Sequence, residues 1–472
     1  MARIFPFRAL RYNPNRVRLS DVVTQPYDKI TPEMQARYYA ASPFNLVRII
    51  LGRAESGDTD TDNVYTRAAR DFAAWRHDGI LTQDPEPAIY AYTQRFASPQ
   101  GAMYGKVNGG FIERRGFIAL GQIESYDAGV VFRHEQTLSA PRTDRLNLLR
   151  ATRAHFGQIF MVYSDPERRL ETLLEHARPP KMEIRGVEIK EVEIKDEYGV
   201  EHRVRRIADP TVIEQVQQAM AEKKLIIADG HHRYETALAY RDEQREQALS
   251  SIAADMPGGG MGTGSFMWKP EWTAAERVMM TCISMESPGL VILPTHRVVF
   301  GLPNFDSADF IRRVREFFSC EQISGGEAEA GARLAEQRLA ELRGREIALV
   351  AVTGSSAWLL RLLPERAAPL LDAVPAGQET LDVAVLHRVL LQHVLGLSEE
   401  DIREQKHLRY LRAADEATQR VRSGEANVAF LINPVTMEQV RDIAFAGGVL
   451  PQKSTDFYPK LLSGLTIYAL DR

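Results

Sequence analysis

Ile226-Ile227-Ala228-Asp229-Gly230-His231-His232-Arg233-Tyr234-Glu235-Thr236-Ala237 decides how this chain is read. A short apolar run stops at an acid and a glycine. Two histidines and an arginine follow, and residues 235–241 have the spacing of a helix. Apolar runs of this length are usually buried strands, so the polar cluster falls between a strand end and a helix start. Backbone N–H groups and the positive end of the helix dipole favour anions there. One carboxylate, two imidazoles and a guanidinium can hold a phosphate, a metal or both. A plain turn is the competing explanation, since Asp-Gly is a common turn pair and Asp caps helices.

The whole chain sets the bounds. It has 472 residues, 44% hydrophobic and 26% charged, with a net charge of −4. That is an ordinary globular composition, long enough for about two to four domains. A chain this close to neutral offers no general attraction for nucleic acid, whose affinity rests on phosphate contacts. The two cysteines, Cys282 and Cys320, are too few for a disulfide framework or a cysteine metal site. Residues 1–6 carry no apolar signal region, and no run approaches the roughly 20 apolar residues of a membrane span. A cytoplasmic protein without a membrane anchor is expected.

Working outward, the pattern predicts a mixed α+β chain. Strands are expected over 45–51, 88–96, 106–113, 117–124, 158–163, 279–285 and 289–294, with a hairpin around Asp196-Glu197-Tyr198-Gly199. Helices are expected over 62–78, 141–155 and 210–222. Residues 250–264 read as a loop. Its run of glycines lacks the Lys-Ser/Thr of a phosphate loop. After Phe300 the composition shifts to helices rich in Ala, Arg and Glu, over 309–317, 328–342 and 381–395. Strands are expected between them at 346–352 and 358–363. The expected division is a catalytic region over 1–303, an α+β accessory lobe over 304–424, and a C-terminal segment, 425–472, returning to the catalytic region.

Polar clusters interrupt the apolar pattern at Pro26-Tyr27-Asp28, Arg133-His134-Glu135, Arg142 to Arg145, Asp229 to Arg233, Thr295-His296-Arg297 and Lys453-Ser454-Thr455. Asp229 with Glu135 suits Mg²⁺, which takes carboxylate and phosphate oxygens. His231 and His232 can donate to phosphate, and Arg233 can bind it bidentately. Glu135 is a candidate general base at a strand end. A solvated helix face is the default for Arg145, and a buried, satisfied ring is as good a reading of His296 as a functional one. Zinc suits the histidine pair poorly, because neighbours on a helix point to different faces and His-Glu-x-x-His is absent.

These residues resemble a family known as domain of unknown function 1015. The resemblance rests on ordered motifs: QPYDKI (25–30), NLVRIIL (45–51), RHEQT (133–137), RTDRLNLL (142–149), ADGHHRYETA (228–237), LPTHR (293–297) and LPQKSTDFYPKLLSGL (450–465). The Asp229–Arg233 segment is also similar to one in the ParB/sulfiredoxin-like superfamily, and in particular to free-serine kinases. Those enzymes make O-phosphoserine from L-serine with ATP or ADP. The resemblance implies a ParB/sulfiredoxin-like core with an additional lobe. Asp229, Gly230, His231, His232 and Arg233 would hold nucleotide phosphates and Mg²⁺, with catalytic parts for Asp229 and His231. A separate glutamate would act as base, with Glu135 as the candidate. Arg145, His296 or Lys453 would hold the substrate. The alternatives are a ParB-like nucleotide-binding regulator and a hydrolase of nucleotides or phosphoesters.

Overall fold

The computed structural model describes residues 1–99, 110–135, 139–177, 183–184, 187–188, 192–255, 274–323, 328–354, 356–372, 374–375 and 377–471. Thr137, residues 106–109 of an expected strand and the glycines of 257–264 lie outside these.

Two mixed α/β layers make up an α+β fold. The larger sheet has the order Val192–Lys195, Glu201–Ile207, Ile89–Ala97, Phe111–Gln122, Arg277–Ser284, Ile159–Tyr163, Leu225–Asp229, Val131–Phe132. Leu225–Asp229 runs antiparallel to Ile159–Tyr163 and parallel to Val131–Phe132. Alternation along this strand splits two cores. Leu225 and Ile227 face the core under the helices Arg169–His176 and Pro210–Ala221, with Leu170, Leu174, Val216 and Met220. Ile226 and Ala228 face the other core, with Phe160, Phe457 and Leu461. A strand buried on both sides needs such an unbroken apolar run.

The second sheet is antiparallel, in the order Phe318–Ile323, Ser356–Leu362, Ala348–Thr353, Val428–Ile432, His296–Val299, Leu408–Leu411. It takes strands from either side of the 304–424 interval expected for the accessory lobe. Helices Ala328–Leu342 and Ala414–Arg422 cover one face through Ala335, Leu339, Ala417 and Val421. The helix expected over 381–395 is an α-turn, Asp382–Val385, followed by a π-helix, Leu386–Val394.

Three expectations fail locally. Residues 250–255, expected within a loop, end the helix His231–Asp255 instead. Residues 45–51 do not form a strand; Val47–Ile50 is a helical turn. Asn45 side-chain Oδ1 accepts from Val47 N at 2.9 Å and starts the turn, while Leu46, Val47, Ile49 and Ile50 are buried. An apolar run alone does not separate the two states. The expected break at Arg114-Arg115-Gly116 is also absent: Phe111–Gln122 is one strand of 12 residues. Gly116 marks close approach instead, since a Cβ there would fall on the Cys282 carbonyl of the neighbouring strand.

Candidate anion-binding site

Leu225–Asp229 ends in a bulge, with the pairing register shifting between Ile227 and Asp229. Such irregularities re-aim side chains at strand ends. Gly230 then turns the chain at φ +97°, where a Cβ would stand 2.9 Å from Arg233 Nη2. Only glycine fits both demands. The helix His231–Asp255 starts at once, with Tyr234 N donating to Gly230 O at 3.0 Å. Tyr234 Oη and Arg241 Nη1 fix this helix to the Glu124 and Ile123 carbonyls at 2.7 and 2.9 Å.

Asp229 stands at the centre of an alternating chain of charges. Arg233 Nη2 donates to its Oδ2 at 2.7 Å, and Lys460 Nζ to its Oδ1 at 3.1 Å. Lys460 Nζ also lies 3.1 Å from Asp456 Oδ1, and Arg412 Nη2 reaches the same oxygen at 3.0 Å. Arg233 Nη1 donates to the Gln158 carbonyl. Burial opposes ionisation of Asp229, but Lys460, Arg233 and Lys29 outweigh it and hold the carboxyl well below its usual range. Lys460, also buried, is nonetheless pushed up to about 12 by Asp229, Asp456 and Asp28. Lys29 goes the other way. Burial, and then Lys460 and Lys453, lower its pKa despite Asp28 and Asp229. Positive charges therefore gather here, interleaved with acids.

Beneath this cluster lies a buried histidine pair. His134 Nδ1 lies 2.7 Å from the Ile227 carbonyl, and therefore carries the proton; its Nε2 accepts from Thr455 Oγ1 at 2.8 Å. His231 Nε2 accepts from His134 N at 3.5 Å, and the two ring centroids are 4.8 Å apart. Burial lowers both pKa values, His231's well below the ordinary range, with each ring's other neighbours acting second. His231 thus supports the strand end as a neutral acceptor. His232 is half-buried and senses Glu235, Asp28, Glu135 and Lys453.

The C-terminal segment closes the site. Glu135 pairs with Leu450 in a parallel bridge, and its Oε1 accepts from Lys453 N at 2.8 Å. Arg114, buried and held near 9 by burial, with Tyr92, Asp229 and Tyr458 opposing, binds the Tyr458 carbonyl at 3.0 Å and the Pro459 carbonyl. It thereby sets the backbone just before Lys460.

Of the residues singled out from sequence, Asp229, His231, His232, Arg233, Glu135 and Lys453 come together. Arg145 lies at the edge. Its guanidinium stacks on Tyr27 at 4.2 Å, donates to the Ile50 carbonyl at 2.6 Å and to Asp144 at 2.8 Å. It lines a cavity of about 70 Å³ shared with Tyr27, Phe156, Gly157, Arg233 and Ser463. His296 is not brought to the site. It is buried in the second sheet, where Nδ1 accepts from Ile432 N at 3.3 Å, and burial lowers its pKa to about 3. It is a neutral core histidine, because a strand position in the middle of a sheet leaves the ring no route outward.

The metal role expected of Asp229 also meets a different arrangement. Each carboxylate oxygen is already engaged by a cation, and Lys29 adds a third positive charge. Among the described residues, no three or more His, Cys, Asp or Glu side chains are placed to share an ion. The residues present suit an anion, and a metal at Asp229 would have to share its oxygens with Arg233 and Lys460. Sequence reasoning missed Lys29, Arg114, Asp456 and Lys460. Lys29 and Lys460 stood inside quoted motifs. Arg114 carried a signal too, as a charge at an inward position of an alternating strand.

Among the described residues, no helix is long and apolar enough to cross a membrane. Of solved structures, a free serine kinase in complex with AMP is similar at 14% identity and TM-score 0.29, over 69% of this chain and 83% of that one. A conserved hypothetical protein from Pyrococcus furiosus gives 14% and 0.29, over 69% and 86%. SbnI with C-terminal truncation, from Staphylococcus aureus, gives 9% and 0.31, over 73% and 85%. Likeness of this degree assigns neither a residue nor an activity. No curated protein sequence matches. The family profile described as Protein of unknown function (DUF1015) matches residues 4–384, and the chain belongs to that family.

Proposed function

We propose that this protein is a small-molecule kinase, transferring a phosphoryl group from ATP or ADP to the hydroxyl of a small acceptor, with L-serine the first to test. The observation that carries the reading is the group of cations Lys29, Arg233, Lys453 and Lys460 gathered around Asp229 and the start of a helix. Such a group suits an anion, and the helix N-terminus adds donors for it. The Asp229-Gly230-His231-His232-Arg233 motif, similar to that of free-serine kinases, supports a nucleotide as the source of that anion.

Phosphoryl transfer asks the protein mainly for position and charge neutralisation. Arg233, Lys29 and Lys460 would hold the phosphates, and Asp229 would hold Arg233 and Lys460 in place. A carboxylate takes the proton of the acceptor hydroxyl as the O–P bond forms. The bond from phosphorus to the nucleotide breaks, and the shortened nucleotide leaves with its negative charge against the same cations. Two carboxylates are candidates for taking the proton. Glu135 is committed to the Lys453 amide through one oxygen. Asp28 acts on both Lys460 and His232 and is 38% exposed at its side chain, open to an incoming acceptor. The cavity beside Arg233, of about 70 Å³, suits a small acceptor.

The test is a coupled assay with ATP, Mg²⁺ salts and L-serine, repeated with Asp28→Asn and Glu135→Gln. Loss of the base should lower kcat by about 10²–10⁴-fold. Absence of phosphoserine above a Lys460→Met control would sink the kinase reading. ATP consumption independent of any amino acid would move the function to hydrolysis.

A further inference from the structure

Lys453 is exposed, yet its backbone sits at φ +56°, a region that residues with a side chain rarely occupy. Two contacts hold it there from opposite sides. Its N–H donates at 2.8 Å to Glu135, which follows the Val131–Phe132 strand of the first sheet. Its carbonyl accepts from Arg297 Nη2 of the second sheet at 3.1 Å, and Gln452 O lies 3.4 Å from the same nitrogen. Ser454 Oγ closes the turn on the Pro451 carbonyl at 2.5 Å.

Arg297 is fully buried. Its guanidinium lies 5.2 Å from the Tyr410 ring centroid, and Nη1 donates to the Thr295 carbonyl. Among the described residues no carboxylate stands within ion-pair distance of it, and burial lowers its pKa to about 10. A buried guanidinium without a counter-ion is costly unless its donors are used. Here two of its three carbonyl partners belong to the turn that carries Lys453. Through its N–H contact with Glu135, next to His134, this turn borders the candidate site, and the Lys453 ammonium bears on Lys29 and His232.

We infer that Arg297 is a positioning residue. It sets the Lys453 turn from the second sheet, so that the Lys453 ammonium meets the phosphates bound at Asp229–Arg233. The inference rests on the reading of that cluster as a phosphate site. It gives the Thr295-His296-Arg297 motif a task that direct contact with substrate does not.

The test is a double-mutant cycle read by calorimetric binding of ADP to the full-length protein. Arg297→Gln should weaken ADP by about tenfold in the parent, within the coupling seen for residues in contact. In a Lys453→Ala background the same change should cost less than about twofold. Arg297→Lys keeps the charge but spans two carbonyls poorly, and should fall between. If Arg297→Gln fails to fold, the cycle is run with Arg297→Lys. Equal losses in both backgrounds would show a general structural role and overturn the inference, as would no loss in the parent. A parent protein that binds no ADP would instead overturn the phosphate-site reading, and the inference with it.

Discussion

Lys460 carries more of the site than any residue the motifs alone would nominate. Its side chain is 9% exposed and bridges Asp229 and Asp456. Replacing it by methionine leaves two enclosed carboxylates each short of a cation. Breaking such a pair costs about 3 kcal/mol, read as a lower urea midpoint, and an unchanged midpoint would show that the chain of charges contributes nothing. Gly230 is the other sharp case. Gly230→Ala should cost about 1–3 kcal/mol for its left-handed backbone and push Arg233 off Asp229, so that thermal stability and ADP binding fall together. At this scale the sequence was readable where polarity broke an apolar run, as at Asp229 to Arg233. It was silent on Lys29 and Lys460, because an isolated lysine in a loop looks the same whether it faces solvent or a buried acid.

Elements were legible where their period was clean. The helix Val64–His77 and the hairpin strands Val192–Lys195 and Glu201–Ile207 follow the pattern that predicts them. The pattern fails where tertiary contact overrides it. At 45–51 an Asn45 cap turns an apolar run into a helical turn, and at Gly116 a close approach mimics a break. Gly116→Ala would force the strand Phe111–Gln122 off its neighbour. The expected cost is about 1–3 kcal/mol, as for overpacking in a core, seen as a lower Tm; a neutral outcome would contradict the close pairing. Segment 450–460 was quoted as a motif but has little regular structure. Its form comes from partners in or just beyond strands of both sheets: His134, Glu135 and Asp229 for one, Arg297 and Arg412 for the other. No local period encodes such a strap.

For the whole molecule, histidines set the response to acid. Burial lowers the pKa of His134, His202, His231 and His232, takes His155 to about 4, and takes His296 and His387 to about 3. Their unfolded value is about 6.5. A group whose folded pKa is depressed in this way binds its proton more readily when unfolded. Its contribution is present above about pH 6.5 and is lost as pH falls towards the folded value. Asp229 and Asp456, also depressed in the fold, add a second loss below about pH 4. Unfolding free energy should therefore fall as pH drops below about 6.5, with Asp382, which burial raises to about 7 and which gains as pH falls, offsetting part of the loss; a flat profile to pH 5 would contradict the burial of these rings. The most direct measurement for the central claim is a crystal structure of the protein soaked with ADP. The account predicts phosphates at the start of the helix His231–Asp255, against Lys29, Arg233, Lys453 and Lys460. Phosphates bound elsewhere, or no ADP at saturating concentration, would contradict it.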